Sequence, residues 1–262
     1  MNGLLRAGIT APFFEIGPKN LLRRDAIEAV AIAAGAAGAT HGVTVLVTVP
    51  TAMIAPVHDL GAGVLVLAQG MGTAGLGPSM DVVTPESLID AGAAGVMLNH
   101  DANPLDDAQL ALAIERARGV GLLTVVCADT DADAVRFAAL QPDVVLLEPP
   151  ALIGADAADA VRPWIPASSA AIHVAGGDRR VHAMHAGGVA SAAIAEAIMA
   201  AGADGTGSTS GVLGGAGTSA ADRADAAHAF IAATRLGWDR ARAGSAHPHQ
   251  IRDTRTTTKE TS

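Results

Sequence analysis

Eight short apolar runs punctuate the chain, at residues 13–17, 43–49, 64–69, 95–99, 122–127, 144–148, 181–186 and 205–208. Most are continuous rather than alternating, which is the pattern of parallel strands covered on both faces. The last is rich in Gly, Ser and Thr and joins the series by its place in it. Between the runs lie Ala-rich stretches with helical spacing, at 25–37, 105–118, 131–140, 191–201 and 219–236. Thr84-Pro85-Glu86 offers an N-cap followed by Pro at the first helical position. Leu105, Leu112 and Ile114 sit among Glu and Arg in a segment that stops near Gly119 and Gly121. The segment 156–178, with Pro163 and Pro166, gives no clear period.

Eight strand–helix repeats over about 235 residues predict a single α/β domain, a (β/α)8 TIM barrel spanning residues 1–240. An open doubly wound sheet is the competing architecture. It calls for a Gly-rich phosphate loop after the first strand, and Gly17-Pro18-Lys19-Asn20 is not one. Past Trp238 the chain turns polar, so 241–262 is expected to be a disordered tail.

Composition narrows the function. A formal net charge of −9 argues against nucleic acid or an anionic membrane surface as partner, and obliges an anionic substrate to be attracted locally. The single cysteine, Cys127, excludes an intrachain disulfide and suits a reducing cytosol. The sequence shows neither a signal-peptide pattern nor a span of roughly 20 uncharged apolar residues. A soluble, cytoplasmic protein is expected.

In such a barrel the chemistry sits where strands end, on the C-terminal face. Three titratable residues follow apolar runs there. Lys19 is one of only two lysines, and the other, Lys259, lies in the tail. A chain that otherwise uses arginine for positive charge thus keeps one ammonium at the mouth of its first strand. Such a compact charge can hold a phosphate or stabilise an oxyanion. His100 follows the fourth run and can shuttle protons between neighbouring oxygens. Glu148 closes Val144-Val145-Leu146-Leu147, where partial desolvation raises a carboxyl's pKa towards that of a useful base. The stretch Pro149-Pro150-Ala151-Leu152-Ile153-Gly154 suits a short stiff lid with a glycine hinge. Gly187-Gly188 and Gly207–Gly211 follow the seventh and eighth runs, where barrels of this kind often bind phosphate through backbone N–H groups.

Taken together, these segments resemble triosephosphate isomerase, particularly its shorter archaeal form. The similarity is carried by 91–100, ending Met97-Leu98-Asn99-His100, by Val125-Val126-Cys127, and above all by 140–154 with its Glu-Pro-Pro turn. Ala68-Gln69 and Thr84-Pro85-Glu86 also fall in register, and coverage is roughly residues 12–236. The resemblance implies a sugar-phosphate aldose–ketose isomerase. In it Glu148 would move the carbon-bound proton, His100 would act between the two oxygens, and Lys19 would bind substrate electrostatically. That isomerase is the reference case for this pairing of carboxylate and imidazole. Gly154, Gly188, Ser210 and Gly211 would contact the phosphate. No metal or organic cofactor is implied.

Departures stand beside the match. The family's Asn two positions before the lysine is Gly17 here, its interface Thr falls near Met80, and Asp101-Ala102 replaces the usual Ser-Glu after the histidine. A retained trio with an altered supporting shell suits triose phosphate or a close relative such as a tetrulose phosphate. Two other readings remain open at this level: a non-catalytic phosphosugar-binding barrel, and an aldolase forming a Schiff base on Lys19. The related enzymes associate through their third loop, so the Gly-rich stretch 71–80 predicts a homodimer or homotetramer.

Overall fold

In the computed structural model, which describes residues 8–152 and 162–245, eight parallel strands close into a barrel in sequence order. The strands are β1 (Phe13–Ile16), β2 (Thr44–Val49), β3 (Leu65–Ala68), β4 (Gly95–Leu98), β5 (Leu123–Ala128), β6 (Val144–Leu147), β7 (His182–His185) and β8 (Gly205–Gly207). Seven of the predicted runs contain a strand whole, and β5 extends one residue past the run 122–127. The ring closes where Phe13, Phe14 and Glu15 pair with Gly205, Thr206 and Gly207. The strands are buried almost throughout, which explains why their sequence pattern does not alternate.

The helices are α1 (Arg24–His41), α2 (Ile54–His58), α3 (Pro85–Asp90), α4 (Asp107–Val120), α5 (Asp131–Ala138), α6 (Ile165–Ala175), α7 (Ala192–Ala200), α8 (Ser210–Leu213) and α9 (Ala220–Ser245). The start of α3 follows the expected signal, while α1 runs past its expected end at 37 to His41. Thr84 caps α3 by accepting the Ser87 N–H, with Pro85 in the first turn. Asp106 and Gln109 form a reciprocal capping box on α4, and Gly121 ends that helix in the left-handed region at φ 86. The segment without a clear period contains α6, with Pro166 in its first turn. Helix α9 continues past residue 240 to Ser245 and packs on α1 and α7. The expected tail beyond that point lies outside the described residues, as does the expected lid hinge, Gly154.

Few aromatic residues serve the interior, so glycine positions decide how it fills. Phe13 points into the barrel against β8, and its ring occupies the volume that a side chain on Gly205 would need. The same ring packs edge-on against His182 of β7, with centroids 5.8 Å apart. Beside the start of β8, Asp204 accepts from the Ala183 N–H at 3.0 Å and pairs with His173 at 2.7 Å. Burial would raise the pKa of this carboxyl, but hydrogen bonds from His173, His182 and Ala183 outweigh it and hold the group below the usual carboxylate range. The opposite end of the barrel, where the strands finish, holds a cavity lined by the described residues.

Candidate active site

The strand ends surround a cavity of about 640 Å³. Lys19, His100 and Glu148 all line it, each contributed by the segment just after β1, β4 and β6. The three residues singled out in the sequence therefore converge on one rim. Gln69, Gly70, Met71, Asp81, Val82 and Val83 form a further wall from the loop that follows β3.

Lys19 adopts φ 48, a left-handed conformation unusual for a residue with a side chain. The Gln69 amide holds it there by donating to the Lys19 carbonyl at 3.0 Å. Asn99, with φ 58, turns the chain in the same way before His100. Its amide donates to the Cys127 carbonyl at 3.0 Å and its oxygen accepts the Leu105 N–H at 2.9 Å, tying the loop after β4 to β5 and to the approach to α4.

The His100 Nδ1 lies 2.5 Å from Asp101 Oδ1 and 3.1 Å from the Ala102 nitrogen. The Ala102 N–H donates to Nδ1 and also to Asp101 Oδ1, the latter at 2.8 Å. With Nδ1 accepting, the ring carries its hydrogen on Nε2, the nitrogen left for a ligand.

Glu148 is partly buried, and desolvation raises its pKa above the ordinary glutamate value, with Lys19 and His100 pulling the other way. Behind it, Cys127 is buried and its thiol is pushed well up, first by burial and then by Glu148 and Glu15. It is a packed side chain and not a nucleophile.

Of the residues expected to contact phosphate, Gly188 lies in the turn after β7 with φ 61, and Ser210 and Gly211 open α8. The Gly211 N–H donates to the Ser208 hydroxyl at 3.1 Å, and that hydroxyl donates to the Val189 carbonyl at 2.6 Å. These bonds fasten the two Gly-rich turns together beside the cavity, where Ser208 and Thr209 line the wall. Gly154 lies outside the described residues.

Two residues that sequence reasoning passed over belong to this region. Arg162 is buried and donates to the Ala186 carbonyl at 2.7 Å and to the Gly187 carbonyl, fixing the turn after β7. Burial lowers its pKa, and Glu148 opposes that shift. Glu15 projects from β1 into the cavity floor although only 6% exposed. Its signal in the sequence was a charge in the middle of an apolar run.

Fold and rim together define a (β/α)8-barrel protein whose ammonium, imidazole and carboxyl face one cavity at the C-terminal ends of the strands. A family model described as triosephosphate isomerase matches residues 19–230. The triosephosphate isomerase of Cenarchaeum symbiosum is 34% identical over 128 residues, 49% of this chain and 57% of that protein. The Halobacterium salinarum enzyme of the same name is 39% identical over 126 residues, 48% of this chain and 58% of that protein. The match thus spans little more than half the length of these curated relatives. A crystal structure of triosephosphate isomerase from Bartonella henselae shares the fold, with a TM-score of 0.61 and 18% identity over 86% of this chain and 99% of that one. The chain belongs to the triosephosphate isomerase family.

Proposed function

We propose that this protein is an isomerase that interconverts the aldose and ketose forms of a small sugar phosphate through an enediol. The observation that carries the reading is the convergence of Lys19, His100 and Glu148 on one cavity in a chain of this family. The Glu148 carboxylate takes the proton from the carbon beside the carbonyl and returns it to the neighbouring carbon. Lys19 stabilises the negative charge that develops on the carbonyl oxygen as the carbon–hydrogen bond breaks. His100 donates its Nε2 hydrogen to one oxygen and takes the proton of the neighbouring hydroxyl in return, while the Ala102 N–H holds the ring through Nδ1. No step calls for a metal or organic cofactor. Gly154, Gly188, Ser210 and Gly211 are proposed to hold the phosphate.

The walls favour this chemistry. Val82, Val83, Met97 and Leu146 line the cavity and reduce its water content around the carboxyl. Leu76 and Met80 are exposed on the loop after β3, 76% and 90% respectively, and this is the face proposed to meet a second copy of the chain in a dimer or tetramer. Among the described residues no helix is long and apolar enough to cross a membrane.

Incubating the purified chain with triose and tetrose phosphates in deuterated water, and following substrate C–H exchange by NMR, tests the reading. Exchange is expected, with a rate reduced about 10³-fold in Glu148→Gln. Binding of these sugars without exchange, unaltered by Glu148→Gln, would overturn it.

A further inference from the structure

The isomerisation leaves one carboxyl of the cavity without a task. Glu15 reaches its floor from the middle of β1, buried on nearly all sides. Its Oε1 is shut off from solvent and has no hydrogen-bond partner among the described residues. The hydroxyl of Thr48, on the neighbouring strand β2 and also lining the cavity, is in the same condition. Leaving a buried polar group unmet is costly, and more so when it is charged. Two of them side by side beneath a binding cavity, to which Glu15 still presents a little surface, mark a place where a ligand supplies the missing partner once the carboxyl turns towards it.

The surroundings are shaped to admit this carboxyl. A Cβ at Gly17 would lie 3.1 Å from Glu15 Oε1, and a Cβ at Gly207 would lie 3.0 Å from Oε2. The two glycines thus leave the room into which the carboxyl extends. Burial pushes its pKa up to about 7; the Thr48 hydroxyl, near enough to favour the ionised form although the two make no well-formed hydrogen bond, opposes that, Glu148 adds to it and Lys19 pulls it back. Near neutrality the group therefore exists in part as the acid, with one O–H to donate and oxygens to accept. That complements a hydroxyl, which also both donates and accepts. It does not suit phosphate or another carboxylate, which would be repelled whenever Glu15 ionises.

A triose phosphate has no hydroxyl to spare for this position. One of its three carbons carries the phosphate, and the oxygens of the other two are engaged by Lys19 and His100 in the proposed reaction. A four-carbon sugar phosphate has one hydroxyl more. We propose that Glu15 and Thr48 together bind the additional hydroxyl of a sugar phosphate of at least four carbons, and so set the substrate class of this cavity. The inference rests on the isomerase reading for the orientation of the sugar, and its test separates the two.

Affinities of the full chain for D-erythrulose 4-phosphate and dihydroxyacetone phosphate are measured by titration calorimetry, alongside deuterium exchange into each. The four-carbon sugar should bind more tightly. Glu15→Leu should weaken it about tenfold while changing the triose phosphate less than about twofold, and Glu15→Gln, which still donates and accepts, should retain most of the preference. If Glu15→Leu does not fold, as judged by circular dichroism, Thr48→Val supplies the same contrast with a smaller expected loss. Equal losses for both sugars, or no loss for either, would overturn the proposal and leave the isomerase reading intact if exchange persists. A Glu15-dependent preference without any exchange would sustain the proposal and remove the isomerase. Failure of both sugars to bind would remove both.

Discussion

The Glu15 carboxyl stands beside the place that a side chain on Gly17 would take, with a Cβ there only 3.1 Å from Oε1. In the resemblance read from the sequence, Gly17 stands where an Asn is expected, so the space that side chain would fill is the space beside which the Glu15 carboxyl lies.

That relationship makes Gly17 sensitive even to a methyl group. Gly17→Ala should displace the Glu15 carboxyl by a few tenths of an ångström and reduce the preference for a four-carbon over a three-carbon sugar phosphate by several-fold. Because the displaced atoms end a flexible side chain, stability should change by less than about 1 kcal/mol. The ratio of kcat/KM for the two sugars, read beside the melting temperature, checks both statements.

Stability should depend on pH through the same carboxyl. The pKa of Glu15 rises from 4.5 to about 7 on folding, so the folded state holds this proton more tightly than the unfolded chain. Its stabilising contribution is complete below the unfolded value and disappears as pH climbs through about 7. A shift of this size corresponds to about 3 kcal/mol at alkaline pH. Glu15→Gln should therefore be more stable than the native chain at pH 8 and lose that advantage at pH 4.5. Urea unfolding at the two pH values would show it, and parallel curves for the two proteins at both would refute it. Glu148, also raised by burial, works in the same direction and is unchanged in the comparison.

The barrel floor should tolerate no side chain on β8 opposite Phe13. Gly205→Ala would drive a methyl group into the Phe13 ring, and overpacking of this kind costs about 1–3 kcal/mol. Phe13→Leu in the same chain should recover part of the loss. Thermal melts of the two single variants and the double variant measure the recovery, and strictly additive losses would show that the two positions do not press on each other.

Much of the candidate site was legible in the sequence because its residues stand at discontinuities. Lys19, His100 and Glu148 each follow an apolar run, and a charge at that point in a barrel has a rim to face. The Thr84 cap was equally legible, since it acts on a backbone group three residues away; Asp106 acts over the same reach and was not read from the sequence. Glu15 and Arg162 were not recognised. Each has meaning only through groups distant along the chain, Glu15 through Thr48, Gly207 and Glu148, and Arg162 through the carbonyls after β7. The segment holding α6 was obscured by its prolines, one of which simply opens the helix.

The sequence by itself determined the order and number of strands, the approximate place of most helices and the three groups that meet at the rim. These depend on periodicity and on short-range hydrogen bonding, which the chain carries locally. Only the tertiary structure decided why a run as weak as Gly205–Gly207 is a strand. Its two glycines give space to Phe13 and Glu15, which arrive from β1 nearly two hundred residues earlier as the barrel closes. Closure likewise turned a lone charge in an apolar strand into an unpaired carboxyl on the floor of a cavity. The physical reason is that volume and desolvation belong to the assembled interior and are not properties of any segment.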